Sequence, residues 1–178
     1  MDWLDIKEFI KDMLGYIILI AIILLIAIYV VGLQQVVGPS MKSTLENGDI
    51  LILDKITYKF IDVKRNDIIS FYSEETKYLI KRVIGLPGDY VEIKNNKLYI
   101  NNKEINETYL KDDVITNDFS LLELGYEKIP EDMYFVLGDN RGNSKDSRKP
   151  NVGLIKKEHI IRKVRFRLWP LNKLKLIK

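Results

Sequence analysis

Three stretches of this chain carry residue types that could do chemistry together. The first is Val37-Gly38-Pro39-Ser40-Met41-Lys42-Ser43-Thr44-Leu45. Pro39 fixes its own φ and Gly38 frees the turn before it, so Ser40 sits in a constrained bend. Such a bend can present a hydroxyl and its own backbone N–H toward a cleft, as acyl transfer requires. The second is Lys81, in Tyr78-Leu79-Ile80-Lys81-Arg82-Val83-Ile84. In a strand Leu79, Lys81 and Val83 share one face, which is otherwise apolar. Burial disfavours the charged amine and can depress its pKa by several units, making a base for a serine hydroxyl. The third is Gly138-Asp139-Asn140-Arg141-Gly142-Asn143-Ser144-Lys145-Asp146-Ser147-Arg148. There Asp146 and Arg148 can pair and pin the loop, and Ser144 can orient a neutral amine. Each stretch also has a plain reading. A Gly-Pro-Ser turn is an ordinary loop, a strand lysine can snorkel to water, and the polar run suits a surface loop.

These stretches need elements to position them. Ile50–Leu53, Ile68–Tyr72, Tyr78–Ile84, Tyr90–Lys94, Lys97–Ile100, Lys103–Ile105, Met133–Leu137 and Lys163–Trp169 read as short strands separated by turn signals. Leu86-Pro87-Gly88-Asp89 suits a type II turn, and Asn95-Asn96 and Asn101-Asn102 suit tight hairpins because Asn tolerates positive φ. Residues 106–132 read as polar and irregular. In the basic C-terminal run the plain expectation is a strand with Val164, Phe166 and Leu168 inward and Arg162, Lys163, Arg165 and Arg167 solvated. The alternative is contact with anionic lipid, with Trp169 at the interface.

No charged residue occurs from Met13 to Met41, and Leu14 to Leu33 is dense in Ile and Leu. As a helix those twenty residues span roughly 30 Å, the hydrocarbon thickness of a bilayer. A cleavable secretory signal would have a shorter apolar region ending at an A-x-A-like site, and none follows. The expectation is one uncleaved membrane span over 13–33, a short cytoplasmic segment over 1–12 and an extracytoplasmic β-rich domain over 34–178. Lys7 and Lys11 before the span, against Lys42 after it, put the N-terminus in the cytoplasm.

Composition narrows the function classes. The 178 residues are 47 % apolar and 30 % charged, so a packed core is available. A net charge of +3 gives no case for nucleic acid as a partner. With no Cys and one His, His159 in a charged patch, neither a thiolate nor a zinc site is expected. No phosphate-binding glycine spacing occurs, and no cofactor is expected.

The runs GPSMKSTLENGDILIL, KRNDIISF, YLIKRVIGLPGDYVEI and GDNRGNSKDSR, with an anchor in front, resemble in order and spacing the sequence boxes of bacterial type I signal peptidases. The likeness extends over most of residues 10–173, including VGLIKKEHIIRKVRFRLWPLNKL. It implies a mainly β catalytic domain behind one N-terminal transmembrane helix, and a serine endopeptidase with a Ser/Lys dyad. Its partners would be the lipid bilayer and the signal peptides of secretory preproteins, cut after small residues at −1 and −3 through an acyl-enzyme.

Residue by residue, the resemblance makes Ser40 the nucleophile and Lys81 the general base. Ser144 becomes the hydroxyl that positions the lysine, while Asp139, Asp146 and Arg148 hold the site together. Val36, Val37, Met41, Leu45, Leu79 and Ile80 are expected to line shallow apolar pockets for the substrate. Two positions depart from the pattern: Gly38 stands where some members have a serine in the oxyanion hole, and Asn66 where a glycine is common. Two other readings remain at this point. A self-cleaving Ser/Lys repressor would need an N-terminal DNA-binding domain in place of the span, and a membrane-anchored β-domain could bind peptides without cutting them.

Overall fold

The computed structural model describes residues 3–73, 77–111 and 114–177. Helix α1 (Trp3–Val30) is followed by β1 (Val31–Gln35), β2 (Ile50–Asp54), the one-turn α2 (Thr57–Phe60), β3 (Ile68–Ser73) and β4 (Lys77–Gly85). Then come β5 (Val91–Lys94), β6 (Lys97–Ile100), β7 (Lys103–Ile105), β8 (Phe119–Ser120), β9 (Met133–Leu137), β10 (Ile155–Lys156), β11 (Ile160–Trp169) and β12 (Lys175–Leu176). The fold is therefore β-rich behind one N-terminal helix.

Within α1, Ile6–Val30 is long and apolar enough to cross a membrane, and its most apolar stretch is not buried against the rest of the chain. The helix starts earlier than position 13 and stops at Val30, three residues before the apolar run ends. Val31, Gly32 and Leu33 instead pair with Asp54, Leu53 and Ile52 of β2. Hydropathy is blind to this boundary, because β-branched residues followed by glycine suit a strand at least as well as a helix.

The larger sheet runs β1-β2-β11-β3-β4-β9-β10, with β12 beside β11, and the smaller one runs β7-β6-β5-β8. Both Asn-Asn hairpins have two consecutive positive φ values, 52° and 64° in each case, and Gly88 has φ 82° in its turn. Asn66, where the resemblance leads one to expect glycine, has φ 71°. Asparagine is among the few side chains that reach this region at low cost, so the substitution keeps the turn. Within 106–132, read as irregular, Phe119–Ser120 joins Glu92–Ile93 as an edge strand. Ser120 then opens a short 3₁₀ turn with a reciprocal Ser120–Glu123 capping box, closed by Gly125 at φ 82°.

Three apolar cores result. One, with Val91, Ile93, Leu98, Ile100, Phe119 and Phe135, binds the small sheet to β4 and β9. A second gathers Ile69, Phe71, Val83, Tyr134, Val136 and Ile155. The third holds Val36, Met41, Leu45, Leu51, Leu53, Ile68, Ile80 and Val164. The third matters most for the site, because Met41 and Leu45 anchor the Ser40 bend in it. Full burial of each contributes about 2–3 kcal/mol.

Strand β11 departs from simple alternation. Bulges between Val164 and Phe166, and between Arg167 and Trp169, shift its register against β2. The buried residues are Ile160, Val164 and Arg167, while Phe166 and Leu168 are only half-buried. The basic side chains are also less solvated than expected. Arg167 donates to Asp49 at 2.8 Å, Arg165 to Asp54 at 3.1 Å and Lys173 to Glu46 at 2.7 Å, and Lys163 pairs with Asp67.

Candidate active site

Ser40 lies in the turn between β1 and β2, and local bonding fixes it. Gly38 adopts φ 87°, a region where a side chain would be strained, and its N–H donates to Asn47 Oδ1 at 2.8 Å. Lys42 N–H donates back to the Pro39 carbonyl at 3.0 Å, and Thr44 and Leu45 N–H donate to the Met41 carbonyl at 2.8 and 2.6 Å. Among the described residues the Ser40 N–H has no acceptor. It remains available to an oxyanion formed at the same residue.

Lys81 lies on β4, between β3 and β9. Its residue is 1 % exposed, and Nζ donates to Ser40 Oγ at 2.8 Å and to the Ile80 carbonyl at 2.9 Å. Burial lowers the amine pKa from 10.5 to about 8, against the opposing pull of the Asp146 and Asp139 carboxylates. A substantial fraction of the amine is therefore neutral near pH 8. Sequence spacing placed both residues as candidates, and the fold brings them into direct contact.

The loop after β9 closes the site from the other side. Gly138 has no Cβ, and one placed there would come within 2.1 Å of Ser144 Oγ and 2.5 Å of the Ser40 carbonyl oxygen. Asn140 N–H donates to that carbonyl at 2.9 Å, and Asn140 Nδ2 donates to the Pro39 carbonyl at 3.1 Å. Asp146 accepts from the Gly138 N–H at 3.0 Å and pairs with Arg148 through Nε at 2.8 Å and Nη2 at 2.9 Å. Arg148 Nη2 also donates to the Arg141 carbonyl at 2.8 Å. Ser144 stands in this neighbourhood with its hydroxyl buried and unpartnered. The second acceptor of Lys81 is the Ile80 carbonyl, so the orientation of the amine comes from backbone here.

Asp139 is fully buried and faces Arg82, the residue after the lysine. Arg82 Nε donates to Oδ1 at 2.9 Å and Nη2 to Oδ2 at 2.7 Å, a bidentate pair, while the Thr44 hydroxyl also donates to Asp139. The pair ties β4, the loop and the Ser40 turn to one another. The Arg82 guanidinium also lies 4.0 Å from the Tyr109 ring centroid. Glu107 receives both Nη groups of Arg141 at 2.9 and 2.6 Å, and the Tyr109 hydroxyl donates to it as well.

Arg82, Gly138, Glu107 and Tyr109 were not singled out from the sequence. Arg82 follows the lysine and so carried a weak signal. The 106–110 segment carried none, because its contacts are long-range.

A groove of about 510 Å³ opens in front of the dyad, lined by Gln34, Gln35, Val36, Val37, Ser40, Met41, Tyr78, Leu79, Ile80 and Lys81. Five of the six residues expected to line a substrate pocket are present. Leu45 is not among them; it is fully buried in the core that holds Met41. The i, i+4 spacing from Met41 carries Leu45 inward around the turn. Val37 is 85 % exposed on the rim. His159 is away from this groove, on the surface beside Glu158.

The family model described as signal peptidase, peptidase S26, matches residues 6–169. The chain is 40 % identical over 161 residues to a signal peptidase I of Bacillus caldolyticus, covering 86 % of this chain and 87 % of that one. It is 37 % identical over 181 residues to signal peptidase IB of Staphylococcus aureus, covering 93 % and 94 % of the two chains. The crystal structure of a signal peptidase I from Enterococcus faecalis V583 superposes with a TM-score of 0.52 at 37 % identity, covering 58 % of this chain and 97 % of that one. With the model spanning nearly its whole length and relatives this similar, the chain belongs to the signal peptidase family, peptidase S26.

Proposed function

We propose that this chain is a membrane-anchored serine endopeptidase that removes N-terminal signal peptides from exported preproteins. Ser40 acts as the nucleophile and Lys81 as the general base. The observation that carries this reading is the 2.8 Å hydrogen bond from a buried lysine amine to a serine hydroxyl on the floor of an apolar groove. In the reactive state the amine is neutral. It takes the Ser40 proton as Oγ attacks the scissile carbonyl, and the Ser40 N–H receives the developing oxyanion. Gly38 has no hydroxyl to add, so the hole rests chiefly on that backbone donor.

Lys81 then passes the proton to the leaving amine, and the acyl-enzyme forms on Ser40. A water that gives a proton to the Lys81 amine then attacks the ester, the bond to Ser40 Oγ breaks, and Lys81 returns the proton to Oγ as the signal peptide leaves with its new carboxylate. Asp139, Asp146 and Arg148 act at one remove, holding the loop against the Ser40 turn, and the Ser144 hydroxyl lies close against Gly138. The groove walls at Val36, Met41, Leu79 and Ile80 leave shallow apolar room that suits the small residues at −1 and −3, and Val37 borders the entrance. The uncharged part of α1 from Met13 onward spans the bilayer, with residues 1–12 cytoplasmic and the β-rich domain outside. Confinement to one surface raises the effective concentration of enzyme and substrate.

The test uses purified full-length protein and a preprotein with an Ala-x-Ala junction. Cleavage at that junction, lost in both Ser40→Ala and Lys81→Met with circular dichroism unchanged, is the expected result. Undiminished turnover by Ser40→Ala would exclude the reading, and binding without cleavage by the unmodified protein would favour a peptide-binding domain instead.

A further inference from the structure

Signal-peptide removal demands a cut at a defined distance from an apolar segment embedded in lipid. The structure contains a continuous chain of bonds that can set that distance. It begins at the last turn of α1, where an α-helix leaves carbonyls without intrahelical partners. Lys55 supplies two of the missing donors: its backbone N–H donates to the Val30 carbonyl at 3.0 Å and its Nζ to the Ile28 carbonyl at 2.7 Å. A cation at this end of a helix is also favoured by the dipole.

Lys55 is itself held. Asp54 next to it accepts from the N–H groups of Ile56 and Thr57 at 2.9 and 2.8 Å and from Arg165 Nε at 3.1 Å. Gly32 makes room for the arrangement, since a Cβ there would lie 3.2 Å from both Lys55 Cε and Arg162 Nη1.

From the helix end to Gly38 a run of backbone bonds ties the chain to β2 and to the turn before β2. Strand β1 pairs with β2 from Val31 to Gln35. Val36 N–H then donates to the Asp49 carbonyl at 2.8 Å, Gly48 N–H to the Val36 carbonyl at 2.9 Å, and Gly38 N–H to Asn47 Oδ1 at 2.8 Å. At ~3.3 Å per residue, β1 is a spacer about 16 Å long with no flexible linker in it.

Resting on the reading of the chain as a membrane-anchored signal peptidase, we propose that Lys55 is a positioning residue. By clamping the last turn of α1 to the end of β2, it fixes the height of Ser40 above the bilayer. It thereby selects how far from the substrate's apolar core the cut falls.

The experiment reconstitutes the full chain in phospholipid vesicles with a preprotein carrying two successive Ala-x-Ala junctions at different distances from its apolar segment. The unmodified enzyme favours one junction. Lys55→Met keeps the aliphatic stem and loses the donor, and it is expected to move the product ratio toward unity by about tenfold, within the hundredfold that a displacement of about 1 Å can cost. Lys55→Arg should restore the preference. Turnover of a short soluble Ala-x-Ala peptide should stay unchanged, which also reports that the catalytic domain is folded.

Insertion of two glycines between Val30 and Val31 breaks the same linkage without touching Lys55, and should blur the ratio in the same way. An unaltered ratio in Lys55→Met, whatever the glycine insertion does, or an equal loss on the soluble peptide and the preprotein, would overturn the inference. Failure of the unmodified enzyme to cut either junction would instead overturn the peptidase reading on which it rests.

Discussion

Lys81 Nζ and Ser40 Oγ lie 2.8 Å apart although 41 positions separate them in the chain. Two different supports create the contact. The Ser40 turn is fixed from beneath by Met41 and Leu45, and Lys81 is fixed by its place in β4 between two neighbouring strands. A general base held in this way contributes about 10²–10⁴-fold to rate. Lys81→Met should therefore lower kcat on an Ala-x-Ala peptide by at least about a hundredfold with KM little changed. Lys81→Arg should not restore it, because a guanidinium stays protonated.

The pH profile should follow the amine. Burial brings Lys81 from 10.5 to about 8, and only the neutral form accepts the Ser40 proton. The expected kcat/KM for a soluble peptide rises tenfold per pH unit at low pH, bends near pH 8 and levels above it. An inflection near 6 or near 10 would show that another group, or a solvated lysine, limits the reaction.

The same shift makes a statement about stability. Between pH 8 and 10.5 the unfolded chain binds a proton that the folded amine refuses, so stability falls as pH drops through this window. Below about 8 the full cost is present, on the order of 3 kcal/mol at about 1.4 kcal/mol per pKa unit. The two hydrogen bonds from Nζ offset part of it, at about 1 kcal/mol each. Lys81→Met should thus be more stable at pH 7 by about 1 kcal/mol, an advantage that shrinks by pH 10. Thermal melts in detergent at the two pH values measure the difference. A variant less stable at pH 7 than the unmodified chain would contradict it.

The buried Arg82–Asp139 pair should be costly to break from one side only. Asp139→Ala leaves the guanidinium without its carboxylate in a dry site and is expected to destabilise by about 3–5 kcal/mol. Combining Arg82→Met with Asp139→Leu should recover most of that loss, while the peptidase activity stays low because Thr44 loses its tie to the loop. Denaturant or thermal unfolding of the single and double variants decides the matter. Additive losses in the double variant would show that the two side chains are not coupled.

Gly138→Ala tests how closely the loop must approach the nucleophile. The added Cβ would lie 2.5 Å from the Ser40 carbonyl oxygen, which is backbone and cannot rotate away. A displacement of about 1 Å at Ser40 would lower kcat by about a hundredfold. Gly142→Ala, where a Cβ meets nothing within 4 Å, serves as the control and should be near normal in a peptide assay. Equal activity in the two variants would mean that the loop can yield without moving Ser40.

What the sequence by itself determined is what local rules govern. The apolar run marks a helix long enough to cross a bilayer, and the alternating segments and Asn-Asn turns mark the hairpins from Tyr90 to Ile105. Each follows from periodicity or from the φ that a residue tolerates. The Ser40 bend and Lys81 were candidates on local grounds, but a plain loop and a snorkelling lysine fitted those grounds as well, and their roles came from the resemblance to type I signal peptidases.

Only the tertiary structure decided where the helix ends and β1 begins, since Val31–Leu33 is apolar in either state and pairing with β2 settles it. Tertiary structure also buried Arg167 in place of Phe166, through two bulges that no local pattern announces. It sent Leu45 to the core, and it joined Arg82 to Asp139 across 57 positions and Arg141 to Glu107 across 34. Such pairings depend on which strands become neighbours in the sheet. That is a property of the whole chain's packing, and neither hydrophobic period nor turn chemistry encodes it.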